Sequence, residues 1–243
     1  MKLARPDIFH PRIVWAGPQV RVAAGADGLS AALRHRGLNT AWFSWGDPET
    51  AEADLVILRD FADYVGREAE FLAWTRSVAN VINPADVIAW NLDSGHLDDL
   101  ESRGIRVHRH ADDQGRIATP MDSPASRAFV VFVGGMPSHA FERRDEVLYA
   151  SEPDRETWDL GAATLAAAAD ASGVASHELL YARVEITTGA SVPGLLALDL
   201  VAPRLGWEAL HPAARDSAQR SVALAVELAC ERRGLGPLSH RRP

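Results

Sequence analysis

The chain has 243 residues, of which 47% are apolar, enough to bury the core of one large domain or two small ones. A disordered tail and a disulfide-stapled mini-protein are excluded. The formal charge is −8 and the 25 Lys and Arg are scattered, so no basic stripe exists to follow phosphates and nucleic acid is not expected as a partner. The single cysteine, Cys230, lies in an apolar helical pattern and reads as a small core residue, without an intrachain disulfide or thiolate metal cluster. No apolar run approaches the roughly 18 residues of a membrane span. Met1 to Pro11 lacks the apolar stretch of a signal sequence, so a cytoplasmic address with no membrane partner is expected.

The first half alternates strand and helix signals. Arg12–Gly17 is a short apolar run, and Asp27–Arg36 places Leu29, Ala32 and Leu33 on one helical face before Gly37 stops it. Thr40–Trp45 and Asp54–Arg59 read as strands. Arg67–Ala79 carries Phe71, Leu72, Trp74 and Val78 at helical spacing, and Val81–Asn83 is a further short strand. Pro84 suits a helix start, Asp93–Arg103 predicts a helix closed by Gly104, and Ile105–His108 is expected to return as a strand. This alternation predicts a mostly parallel sheet with helices.

The rhythm then changes. Phe129–Val133 and Ser138–Arg143 flank Gly134-Gly135, which predicts a hairpin. Thr157–Ala171 is Ala-rich and helical. Leu179–Thr187 and Leu195–Val201 alternate around a Thr188–Gly194 turn as a second hairpin, and a last helix runs from about Pro212 to Arg233, stopped by Gly234. The tail from Gly236 is expected to fray. Neither an internal repeat nor a phosphate-cradling glycine loop is present, and Gly25–Leu29 does not form one.

Three stretches, taken together, resemble the ATP-grasp carboxylate–amine ligases, the family that includes RimK-like proteins and the cyclo-ligase of D-cycloserine biosynthesis. The first comprises Leu29–Gly37, Leu55–Tyr64 and Phe71–Trp74. The second is Asn83-Pro84-Ala85-Asp86-Val87-Ile88-Ala89-Trp90-Asn91-Leu92-Asp93. The third comprises Ser138-His139-Ala140, Tyr181-Ala182-Arg183-Val184-Glu185 and Leu198-Asp199-Leu200-Val201-Ala202-Pro203. Order and spacing agree over most of residues 12–230. The resemblance implies an α/β chain whose N-terminal parallel sheet and helices, residues 1–110, precede a truncated antiparallel α+β half, residues 129–235. A short loop, 111–128, joins them, and a tail, 236–243, follows.

In that family a carboxylate attacks the ATP γ-phosphate and an amine captures the acyl phosphate. That chemistry requires lysines and carboxylate-bound Mg²⁺ to offset the triphosphate charge, and a flap to exclude water. Here only 18 residues, Ala111 to Ala128, stand where the family carries a complete lid subdomain, and Lys2 is the sole lysine of the chain. Ser94 replaces a family lysine, Ser126-Arg127 replaces a Gly-Glu pair, Ala197 replaces one metal-side carboxylate, and Ala202 replaces the Glu before Pro203. ATP is therefore not expected as a cofactor.

What the resemblance preserves is the acceptor side. It implies His139 and Ser138 as catalytic candidates, with Arg183, Arg59 and Arg143 as substrate-binding residues. Glu185 and Asp199 stand as a pair able to hold Mg²⁺ weakly. Arg183 has the fork geometry for a substrate carboxylate, and His139 could act as acid or base. Structural readings stand beside these: Arg183 and Glu185 at i, i+2 can form an ion-pair ladder, and Ser138-His139 can be a hairpin-edge pair. His108 and His110 would share a strand face, but without a third ligand they read as an exposed strand exit. Asp63-Tyr64 matches a pocket-side family loop in which Ala62 replaces Trp, and here the loop could simply cap the first sheet. The tryptophans read as core or rim packing.

The function expected from this pattern is a degenerate ATP-grasp-fold protein, a small-molecule binder or accessory partner in a biosynthetic pathway. Two alternatives remain open: an ATP-independent cyclising, hydrolytic or acyl-transfer enzyme on an amino-acid-like substrate, and a ligase completed by a partner subunit. Self-association is left open.

Overall fold

The computed structural model describes residues 10–17, 27–59, 62–111, 117–118, 126–144, 147–188 and 192–235. The expectations for Gly25, for most of the 111–128 connection and for the tail from Gly236 lie outside these residues.

Four strands form the first sheet, β1 (Ile13–Ala16), β2 (Thr40–Phe43), β3 (Leu55–Leu58) and β4 (Val81–Ile82). They are all parallel, in the order β2-β1-β3-β4. β1 and β3 are buried along their whole length, as strands covered on both faces must be. The helices α1 (Asp27–His35) and α3 (Glu68–Ser77) fall where sequence periodicity placed them, α4 (Ala85–Leu92) follows the Pro84 start signal, and α5 (His96–Ser102) lies within the helix expected over Asp93–Arg103. Gly37 and Gly104 sit at φ 76° and 88°, the left-handed conformation that lets the chain leave a helix. A one-turn helix, α2 (Pro48–Ala51), was not anticipated, although Asp47 caps it by accepting from the Glu49 N–H at 2.9 Å.

One expected strand is absent. Ile105–His108 makes only an isolated parallel bridge between Val107 and Leu195. The two-residue strands β5 (His110–Ala111) and β6 (Ile117–Ala118) instead pair with each other.

The second sheet is antiparallel, in the order β11-β10-β7-β8-β9. It contains β7 (Ser126–Val133), β8 (Met136–Arg144), β9 (Val147–Ser151), β10 (Tyr181–Thr188) and β11 (Leu195–Asp199). Both expected hairpins are present, and β9 is an additional edge strand. Helix α6 (Arg155–Ala171) covers one face of this sheet, with Val130, Phe132, Ala182, Val184 and Leu165 in one cluster. Gly161 belongs to that contact, since a Cβ there would meet Val130 at 2.7 Å.

The opposite face meets helix α7 (Pro212–Arg232) and one side of the parallel sheet. Phe129, Val131, Phe141, Trp15, Ile57, Val222 and Val226 join in a shared core. The two halves are therefore fused through α7. Cys230 is fully buried there, and burial pushes its thiol up to about 11, which keeps it protonated and inert.

Two asparagines stitch the halves together. The Asn83 side chain donates to the carbonyls of Tyr181 (3.1 Å) and Leu200 (2.7 Å), and its oxygen accepts from the Leu180 N–H at 2.8 Å. Asn91 donates to the Leu198 carbonyl at 3.0 Å and accepts from the Leu200 N–H at 2.7 Å. Both are buried, so each bond satisfies a backbone group that has no access to water.

Candidate functional site

Arg183, Glu185, Asp199 and His139 of the second sheet gather on its α7-side face because register puts them there. Arg183 on β10 lies opposite Asp199 on β11 and Val131 on β7, and Val131 lies opposite His139 on β8. Two residues along, Glu185 faces Ala197 and Phe129, and Phe129 faces Phe141. Strand alternation puts Arg127 and the half-buried Arg143 on the same face.

The carboxylates on this face are engaged by arginines. Arg127 donates to Glu185 at 2.9 Å, with their side chains only 8% and 12% exposed. Arg183 donates to Asp199 Oδ2 at 3.2 Å, and Asp199 Oδ1 accepts from the N–H groups of Val201 (3.1 Å) and Ala202 (3.2 Å). The Arg183–Glu185 ladder that i, i+2 spacing allowed is thus replaced by two cross-strand pairs. Among the described residues no group of three or more His, Cys, Asp or Glu side chains is placed to hold a metal ion. Glu185 and Asp199 lie on neighbouring strands without a third ligand of this kind.

His139 is locked at both ring nitrogens. Its Nε2 is 2.6 Å from the Leu205 carbonyl and its Nδ1 2.9 Å from Ser138 Oγ. A carbonyl can only accept, so Nε2 carries the proton and Nδ1 accepts from the hydroxyl. Burial lowers the imidazole pKa, the Leu205 bond opposing it, and the ring is neutral near pH 7. Ser138 and His139 thereby act on each other and on the chain at Leu205.

Arg59 follows β3, at the carboxyl end of a parallel strand where α/β sheets place their ligands. It is buried, with its guanidinium 4.1 Å from the Trp207 ring centroid and 5.7 Å from that of Trp15. Next to it the Tyr181 hydroxyl donates to the Leu58 carbonyl, and burial together with the Asp199 charge raises its pKa.

Beyond Arg59, Asp63 and Tyr64 pack on the parallel unit. Asp63 accepts from the Trp45 indole at 3.0 Å and Tyr64 stacks on Phe71 at 4.7 Å. The Tyr64 hydroxyl is pushed up to about 12 by burial and then by Asp199, with Arg183 opposing. Arg59, Tyr64, Tyr181, Arg183 and Asp199 therefore form one electrostatic neighbourhood where the two sheets meet, while His139 lies in the Arg183 row two strands away and Arg143 farther along β8.

Sequence reasoning did not single out Arg127, Tyr181, Asn83 or Asn91 as functional residues. Arg127 had been noted only as a departure from a family pattern, and the asparagines only as letters of a motif. His108 donates its backbone N–H to Leu195 at 2.7 Å, and its ring lies 3.1 Å from the Thr187 hydroxyl. It is tied to the second sheet rather than forming an exposed strand exit.

A parallel α/β unit stitched to an antiparallel sheet with charges at the junction defines a class, and the chain has the ATP-grasp ligase fold. Residues 11–85 match the family model described as the N-terminal domain of D-cycloserine synthetase DcsG. The crystal structure of D-cycloserine synthetase DcsG aligns with a TM-score of 0.71 at 20% identity, over 89% of this chain and 99% of that one. D-alanine–D-alanine ligase from Bacillus anthracis, solved with ATP, aligns at 0.57 and 10% identity, over 92% and 99%. The ATP-grasp ligase PsnB, complexed with a variant of its minimal precursor, Mg and ADP, gives 0.56 and 14%, over 90% and 99%. No curated protein sequence matches.

Proposed function

We propose that this protein keeps the ATP-grasp fold and part of its acceptor side but does not hold MgATP as the ligases do. It acts as a small-molecule-binding or accessory protein in a biosynthetic pathway. The observation that supports this reading is the engagement of Glu185 by Arg127 and of Asp199 by Arg183. Mg²⁺ needs carboxylate oxygens free to face it, and a guanidinium within 3.2 Å takes up part of each carboxylate's accepting capacity and repels a divalent cation. The absence of any lysine after Lys2 agrees with it, because the triphosphate loses its usual ammonium partners.

The ligand chemistry that fits the junction is a small amino-acid-like carboxylate. Arg183, one-quarter exposed and already donating to Asp199 and to the Arg204 carbonyl, offers its remaining N–H groups, and Tyr64 stays a phenol able to donate at neutral pH. Isothermal titration of the isolated chain with ATP and Mg²⁺ should give no saturable heat into the millimolar range. Micromolar, Mg²⁺-dependent binding would overturn the assignment.

A further inference from the structure

Helix α7 presents its inner side to the shared core but leaves an outer stripe in water. Ser217, Ser221, Leu224, Leu228 and Glu231 follow one another at three- and four-residue spacing and are all exposed. Leu224 is 43% and Leu228 42% exposed, and Met136 at the β7–β8 turn is 67% exposed. They border one groove of about 260 Å³, which Val133, Gly134, Ala225, His177, Ser221 and Arg232 help to line. The turn makes room for it: Gly134 and Gly135 adopt φ 56° and 80°, and a Cβ at Gly134 would lie 3.4 Å from that of Ala225. The glycines let the hairpin lie flat on α7, with Met136 as the wall of the groove.

The charges flanking the stripe determine what fits. Asp216 and Arg220 precede Leu224 by two turns and one turn, and Leu228 and Arg232 follow it by the same intervals. If two copies of α7 cross antiparallel about Leu224, each Asp216 faces the other copy's Arg232, so the pair forms twice. Each Arg220 lays its aliphatic stem over the opposite Leu228. In a parallel arrangement the same residues would meet like with like.

We propose that the α7 stripe and the Met136 groove form a two-fold interface between two copies of this chain. The surface is self-complementary, as an isologous dimer demands. An interior-like Leu–Leu–Met patch is removed from water at its centre, and opposite charges lie at both ends.

The test is light scattering on size-separated full-length protein across a dilution series. The wild type should show a concentrated-limit mass of twice 26.3 kDa. Leu224→Glu combined with Leu228→Glu should give a monomer whose circular dichroism and melting curve match the wild type, since both positions are exposed. Asp216→Arg should weaken the dimer roughly tenfold by placing two like-charged pairs at its ends, and adding Arg232→Asp should restore it. A wild type that stays monomeric overturns the proposal, whether a different protein or the chain's own tail covers the groove. So does a dimer that survives the double Glu change, or a reversed charge pair that fails to restore association.

Discussion

The two faces of the antiparallel sheet are made by alternate residues of the same strands, yet they are built on different physics. On the α6 side Val130, Phe132, Ala182, Val184 and Ile186 are almost wholly removed from water. On the α7 side Arg127, Arg183, Glu185, Asp199 and His139 interrupt an apolar surface, and the charges are matched pairwise across strands. The first face holds the fold. The second keeps fixed charges next to the parallel sheet at a cost in desolvation, which cross-strand pairing offsets.

The largest effect should come from the apolar face. Phe132, 1% exposed and edge-on to Trp158 at 5.8 Å, should lose about 4 kcal/mol of stability as Phe132→Ala by denaturant unfolding. A loss below that of any charged-face variant would reverse the contrast between the faces. Next comes the Arg127–Glu185 pair: Arg127→Ala strands a carboxylate that is 12% exposed and should cost about 3 kcal/mol. The double change Arg127→Met with Glu185→Leu should return to within about 1 kcal/mol of wild type, since it removes the charges along with their desolvation. If the double variant were as unstable as the single one, the pair would be a stabilising element in its own right.

The smallest effect is a pH dependence carried by His139. Its folded-state pKa lies below the ordinary 6.5, so as pH falls the unfolded chain takes up the proton first. Stability held above pH 6.5 is therefore lost as pH drops from there toward the lower folded value. Thermal melts at stepped pH should show this slope in wild type and a flatter one in His139→Gln. An unchanged slope would remove the buried ring from the list of causes.

The helices were legible because their signals are local. Gly37, Gly104 and Gly234 each mark a helix end in the sequence and sit at positive φ in the structure. Strand β9 was missed because Val147–Ser151 follows a run of charges, and an edge strand with one half-wet face carries little alternation. Ile105–His108 has strand composition, but its neighbour is a single residue, Leu195, so composition found no ladder to join. At the site, residue types were readable whereas partners were not. Arg127 and Glu185 are 58 positions apart and meet through the register of the folded sheet, while His139 and Leu205 are 66 apart and meet where the chain after β11 folds back over β8.

The joint made by Asn83 and Asn91 has one further consequence. Its bonds are formed by carboxamides, which have no proton to gain or lose and no net charge for salt to screen. The arginine–carboxylate pairs beside it hold by opposite charge, while the seam between the halves holds without any. The relative position of the two sheets thus rests on bonds that do not depend on the charges of the junction.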